Sequence, residues 1–92
     1  MAGNDVKSAT ATADGVLFAG RARLRHVLVK TSSTGSPQVV LKNGSSGGTT
    51  LLTMDFVTAT STDIPFPDEG LLFEGGIYAD ITDIDRITIL YS

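Results

Sequence analysis

The sequence contains no cysteine, which removes disulfide bonds, thiol chemistry and cysteine-ligated metal sites from consideration. The absence says little about compartment, because such a chain fits the cytosol as well as an extracellular particle. A length of 92 residues predicts one domain. A domain of this size buries a modest core, so we expect association with partners to supply part of its stability.

Long apolar runs are also missing. No run approaches the roughly 18 residues that a membrane-spanning helix needs. The first residues, MAGNDVKSATATADG, are polar and lack the apolar centre of a secretory signal. We therefore expect no membrane association and a protein that is made and first folded in a cytoplasm.

An excess of basic residues is missing as well, since the chain has seven Lys and Arg residues and ten Asp and Glu residues. This balance argues against a general affinity for nucleic acid. The single histidine, His26, lacks the companions that a metal site or a catalytic triad requires. Alternation puts it on one strand face with Leu24 and Leu28, which predicts a core or edge histidine. We expect no enzymatic activity, no metal and no cofactor.

What the sequence does contain is apolar alternation with a period of two residues, interrupted by turn signals. Seven or eight short strands and no helix are predicted. The predicted strands are 16–19, 22–30, 38–42, 49–56, 71–73, 77–81 and 85–91, and the last of them has Ile87, Ile89 and Tyr91 on one face. Asn43-Gly44 predicts a hairpin turn, since both residues tolerate positive φ. Pro65 and Pro67 lack the N–H of a sheet ladder and predict an edge or an extended connection.

The fold class is therefore all-β, as a single small antiparallel β-sandwich of jelly-roll-like type. The sandwich domain covers residues 14–92. A flexible N-terminal arm, residues 1–13, precedes it and is expected to form an edge strand or to bind a partner. The predicted core consists of Leu17 or Phe18, Leu24, Val27, Val29, Val40, Leu52, Met54, Phe56, Leu72, Ile77, Ile81, Ile87 and Ile89.

Three arginines, Arg21, Arg23 and Arg25, alternate along one predicted strand and so share a face. Such a row of arginines has three interpretations: a solvated strand face, a contact with an acidic protein surface, and binding to the phosphates of a nucleic acid. The last needs neighbouring aromatic residues for base stacking, which this stretch lacks. The candidate protein-interface residues are Arg21, Arg23, Arg25, Lys7, Asp68 and Glu69.

Three aspartates, Asp80, Asp83 and Asp85, lie close together near the C-terminus. A carboxylate group of this kind is either a solvated turn or a calcium site. The spacing lacks the pattern of a calcium-binding loop, and the turn is the favoured interpretation.

Three stretches carry a resemblance to a known family: RLRHVLVK, VVLKNGSSGGTTLLTMDF and DIPFPDEGLLFEGGIYADITDIDRITILYS. In their pattern the chain resembles small virion proteins of tailed bacteriophages, particularly of marine and cyanobacterial phages, and most of all capsid decoration (cement) proteins. The resemblance covers about residues 20–92. It implies a β-sandwich that sits on a protein shell and oligomerises, with a trimer as the suggested order, and it carries over no enzymatic residues.

The expected function is that of a non-enzymatic structural virion protein that binds and stabilises a capsid shell. Its expected partners are the major capsid protein and other copies of itself, at the capsid surface of the virion. The alternative is an adhesin module on a tail or head fibre that binds a receptor or glycan. Such binders usually expose aromatic side chains, and most of the four Phe and two Tyr are needed for the predicted core.

Overall fold

The structure, a computed structural model, describes residues 6–66 and 70–92. The described residues form nine strands and no helix, so none of them belongs to a helix that could cross a membrane. The strands are β1 (Lys7–Ala11), β2 (Gly15–Ala19), β3 (Ala22–Thr31), β4 (Gln38–Asn43), β5 (Thr50–Asp55), β6 (Ser61–Pro65), β7 (Leu71–Phe73), β8 (Gly76–Thr82) and β9 (Ile84–Tyr91).

The strands pair as one long antiparallel hairpin that is folded over on itself. At its tip β4 pairs with β5; further along, β3 pairs with β6 and β7, β2 with β8, and β1 with β9. Folding over adds the pairs β3–β9 and β4–β8. The result is sheet A, in the order β1-β9-β3-β6, and sheet B, in the order β2-β8-β4-β5. This nested order is that of a jelly roll, and the predicted antiparallel sandwich is confirmed.

The core lies between the two sheets and is built from alternate side chains. Ile87, Ile89 and Tyr91 share the inner face of β9, as the alternation predicted. The hydrophobic residues with the least exposed surface are Leu24, Val27, Val39, Leu41, Phe73, Ile77, Ala79, Ile87 and Ile89. Leu17, Phe18, Leu52, Phe56 and Ile81 are partly buried and pack against this core. Fully burying one such large side chain stabilises the fold by about 1.5–3 kcal/mol.

The predicted core was wrong at Val40 and Leu72, which are only half-buried. In β4 the fully buried residues are Val39 and Leu41, and in β7 the buried residue is Phe73. Each strand is therefore in the opposite phase from the prediction. A short apolar run such as QVVL offers two phases of almost equal hydrophobicity, and one residue of shift exchanges the two faces.

A β-bulge at Arg25 divides β3 into two halves of opposite phase. Leu24 lies opposite Tyr91 and His26 lies opposite Leu90, so β3 has one extra residue at this point. Before the bulge the buried residues are even-numbered, as at Leu24, and after it they are odd-numbered, as at Val27. The prediction that His26 shares a face with Leu24 was wrong, because simple alternation does not continue through the bulge.

The hairpin predicted at Asn43-Gly44 is confirmed. Gly44 has a φ of 85°, which glycine adopts without steric cost. The Asn43 side chain fixes the turn against the neighbouring loop, since its Oδ1 accepts a hydrogen bond of 2.8 Å from the Gly75 amide. The Gly44 amide donates to the Gly76 carbonyl at 2.9 Å. The tip of the long hairpin is thereby tied to the start of β8.

The two edges of sheet A are formed by β1 and β6. Of the alternatives for the N-terminal segment, the structure has the edge strand, because β1 pairs along its whole length with β9. Small side chains allow this pairing, since Ala9 and Ala11 fit against the margin of the core. At the other edge, β6 ends at Pro65, as expected for a residue without an N–H. Residues 1–5 and Pro67 lie outside the described residues.

Candidate functional site

The three arginines of the predicted stripe lie together at one end of the outer face of sheet A. Arg21 precedes β3, and its Nε lies 3.5 Å from Glu74 Oε1. Arg25 occupies the bulge, and its Nε donates to Ser92 Oγ at 2.9 Å. Arg23 is held by two backbone hydrogen bonds with Ser92, at 2.9 and 3.0 Å. The structure therefore brings the stripe together and connects it to Glu74 and Ser92 of the same chain.

The other predicted interface residues do not join this group in the described structure. Lys7 lies in β1 in phase with Ala9 and Ala11, whose side chains contact the core. It therefore belongs to the opposite face of sheet A from the arginines. Asp68 and Glu69 lie outside the described residues.

Two further cations share the outer face of sheet A, and the sequence analysis did not single them out. Lys30 is near the end of β3 and Arg86 is near the start of β9, and both are exposed. We call the five residues Arg21, Arg23, Arg25, Lys30 and Arg86 the cationic face. They are five of the seven Lys and Arg residues in a chain whose net charge is −3. The sequence indicates that Lys30 shares a strand face with Leu28, because the two are two residues apart. The place of Arg86 on that face depends on the register between β3 and β9.

Lys30 and Arg86 lie directly opposite each other in the β3–β9 pairing. A second bulge, at Asp85 in β9, sets this register, since Thr31 already pairs with Ile84. Like charges in directly opposed positions of a sheet are destabilising. Among the described residues no carboxylate lies within 4.0 Å of either cation. A shallow cavity of about 320 Å³ opens beside the pair and is lined by Leu28, Val29, Lys30, Ser61, Thr62, Asp63, Arg86 and Thr88.

The middle of the outer face is occupied by short polar side chains around an exposed leucine. His26 Nε2 and Asp63 Oδ2 lie 3.2 Å apart, across the β3–β6 pairing. The hydroxyl groups of Thr10 and Thr88 are hydrogen-bonded at 2.9 Å. Leu28 retains 40% of its surface exposed between them. His26 therefore lies on the outer face of an interior strand, with Asp63 as its carboxylate partner, and is neither a core nor an edge histidine.

The three aspartates near the C-terminus point to separate places. Asp80 Oδ2 lies 3.6 Å from Lys42 Nζ on the outer face of sheet B. Asp83 has a φ of 55° in the turn between β8 and β9, and its Oδ2 accepts a hydrogen bond from the Ser36 amide at 2.9 Å. Asp85 lies in the bulge beside Lys30, at a different cavity. In residues 6–66 and 70–92 no three His, Asp or Glu side chains are grouped closely enough to hold a metal ion.

The outer face of sheet B differs from the cationic face in its charge pairing. Lys42 Nζ is placed between Asp80 and the Ser46 carbonyl, to which it donates at 3.1 Å. Gln38 Nε2 donates to Asp55 Oδ1 at 3.0 Å across the β4–β5 pairing. Each charged group named here thus has a complementary partner on the same face.

The cationic face is chemically suited to binding a carboxylate or another anion on a flat, preformed surface. It offers guanidinium and ammonium donors beside an apolar side chain, which is the composition of many protein interfaces. Comparison with protein-family models, with curated protein sequences and with solved structures gave no match to this chain.

Proposed function

We propose that the protein is a non-enzymatic structural component of a phage virion, a decoration (cement) protein that binds and stabilises the capsid shell. One observation carries the proposal: five of the seven basic residues lie on one sheet face of an acidic chain. Such segregation of charge suits a surface that meets an acidic protein. The resemblance of residues 20–92 to small virion proteins supplies the identity of that protein as the major capsid protein.

The proposed partners also include other copies of the chain, at the outer surface of the virion. A small domain gains stability when it binds a partner, because binding stabilises the folded state. The β-framework presents four of the five charged side chains of the cationic face from the central strands β3 and β9. A trimeric arrangement is the form that the resemblance suggests.

The main test is the number of copies per virion. Purified particles of the source phage are analysed by gel densitometry and by particle reconstruction. We expect a copy number close to that of the major capsid protein, and we expect virions without the protein to lose heat or osmotic resistance. A handful of copies confined to the tail contradicts the proposal.

A second test addresses the arginine stripe. We expect simultaneous Arg21→Ala, Arg23→Ala and Arg25→Ala substitutions to weaken attachment to particles that lack the protein, with a reduced dependence on salt. Charges at exposed contacts are screened over about 8 Å at physiological ionic strength, so attachment is measured from low to high salt. Unchanged occupancy at every salt concentration excludes a role for the stripe.

A fibre-associated adhesin that binds a glycan is the second candidate, and a second cavity favours it. This cavity, of about 320 Å³, is lined by Lys30, Thr31, Ser32, Ser33, Ala59, Thr60, Ser61 and Asp85. Clustered hydroxyl groups beside a cation and a carboxylate can hydrogen-bond sugar hydroxyls. Binding to a glycan array, abolished by Ser32→Val with Ser33→Val, is the result that distinguishes this function from capsid decoration.

A further inference from the structure

We propose that the Lys30–Arg86 pair and Leu28 form a docking site for an acidic protein segment, one that presents a carboxylate beside an apolar side chain. The carboxylate binds between the two cations, and the apolar side chain packs on Leu28. The inference rests on the proposed function only for the source of that segment, which is a capsid subunit.

The Lys30–Arg86 pair is unfavourable in the free protein. Lys30 and Arg86 face each other across two hydrogen-bonded strands. Directly opposed residues have Cβ atoms about 4.5–5.5 Å apart, so the two charges repel each other. Within the described chain neither cation has an acidic partner at ion-pair distance. An anion placed between them removes this repulsion and converts an unfavourable arrangement into a favourable one.

The backbone that holds the Lys30–Arg86 pair is rigid. β3 lies between β9 and β6, and β9 lies between β1 and β3, so both cations stand on interior strands of sheet A. Their neighbours Val29 and Ile87 are buried in the core. The separation of the Cβ atoms of the two cations is therefore fixed before any ligand arrives, which reduces the entropy cost of binding.

The lining of the cavity beside the pair favours a protein carboxylate as the ligand. The cavity beside the pair includes Leu28, which offers an apolar contact, and the hydroxyl-bearing Ser61 and Thr62. Asp63 borders the same cavity, where its Oδ2 faces His26. A fixed carboxylate at the border disfavours a ligand with a row of charges, such as a nucleic-acid backbone. None of the described residues that line the cavity is aromatic, so bases have no stacking partner there.

The experiment uses the full chain labelled with ¹⁵N and the acetylated tripeptide amide Glu-Leu-Glu as the probe. We expect amide shifts centred on Leu28, Lys30, Arg86 and Thr88, with a Kd of about 1–10 mM for so small a ligand. The matched peptide Gln-Leu-Gln is expected to produce no localised shifts. Equal shifts with both peptides, or shifts centred elsewhere, overturn the proposal. Tighter binding of inorganic phosphate or of a short single-stranded DNA than of the acidic peptide also overturns it.

Substitutions separate a docking site from an ordinary surface pair. We expect Arg86→Gln and Lys30→Gln each to weaken peptide binding about two- to five-fold, as removal of an exposed charge contact does. The same substitutions are expected to raise the Tm of the free protein by about 1–4 °C, because they remove the repulsion. The control is Lys42→Gln on sheet B, which is expected to lower the Tm and to leave peptide binding unchanged. Unchanged binding in both Lys30→Gln and Arg86→Gln overturns the proposal.

This experiment is independent of the virion. If the peptide binds but the particle holds only a few copies of the protein, the proposed function is contradicted and the docking site is supported. A high copy number without peptide binding removes the docking site and leaves the proposed function in place.

Discussion

The outer faces of the two sheets are built alike and charged differently. On sheet B, Lys42 lies beside Asp80, and Gln38 donates to Asp55. On sheet A, Lys30 lies opposite Arg86, with no acidic side chain of the described chain at ion-pair distance. The pairing on sheet B is the one that favours the stability of the isolated fold. The pairing on sheet A opposes that stability, and a feature of this kind is expected at a functional surface.

The bulges explain how sheet A acquires this arrangement. The extra residue at Arg25 shifts the phase of β3, so that Leu28 and Lys30 face outward after the bulge. The extra residue at Asp85 then places Arg86 opposite Lys30. Sheet B also has bulges, at Leu17 and at Leu51, but they lie in its edge strands β2 and β5. The comparison teaches that an irregularity in a central strand organises a whole face, whereas one in an edge strand affects its own neighbourhood.

The largest expected effect comes from removing one residue of the central strand outside its bulge. Deletion of Leu28 makes Val27 and Val29 consecutive, so that one of the two is turned out of the core together with its half of β3. We expect a loss of about 3–5 kcal/mol in the free energy of unfolding, comparable to the whole stability of a small domain. Urea denaturation followed by circular dichroism measures it. Deletion of Leu51 is the matched control, with an expected loss of about 1–2 kcal/mol; equal losses contradict the comparison.

A medium effect is expected from giving sheet B the charge arrangement of sheet A. Asp80→Lys replaces the attraction to Lys42 by repulsion between two cations, and we expect the free energy of unfolding to fall by about 1 kcal/mol. In a domain of this size the Tm falls by about 4–8 °C. Asp80→Asn, which only removes the attraction, is expected to have about half the effect. Differential scanning calorimetry at low and high salt tests both substitutions, since salt screens the charges and diminishes the difference in Tm from the unchanged protein. A Tm that neither substitution changes argues against an attraction between Lys42 and Asp80.

The smallest effect is expected at the arginine end of the cationic face. The side chains of Arg21 and Glu74 are 60% and 70% exposed, so their attraction acts through water. We expect Arg21→Ala and Glu74→Gln each to change the free energy of unfolding by less than about 0.5 kcal/mol. Their effect is expected on particle attachment instead. A loss well above this limit in urea denaturation shows that the pair has a structural role.

The sequence allowed the fold class to be predicted, because turn signals and alternation are local. The hairpin around Gly44 and the inner face of Ile87, Ile89 and Tyr91 are as predicted. The phase of β4 was not, since Val39, Val40 and Leu41 are equally apolar and only the pairing partners β5 and β8 decide which of them is buried.

The candidate site was predictable only in part. The arginine stripe follows from alternation within one strand. The opposition of Lys30 and Arg86 depends on two bulges and on a pairing between strands 56 positions apart in the chain (30 and 86). Bulges leave no residue signature comparable to Asn-Gly at a turn, so the sequence pattern contained no sign of the phase change at Arg25.

The nested order of the strands has a consequence for synthesis. β9, the last described strand of the chain, lies between β1 and β3 and is the partner of both. Until its residues have left the ribosome, β1 has no neighbour in sheet A and the inner faces of β3 and β8 have no complete opposite layer. The β4–β5 hairpin can form early, because its strands are joined by a short turn. Folding of the sandwich is therefore expected to wait until β9 has left the ribosome, and the cationic face comes into existence in that step.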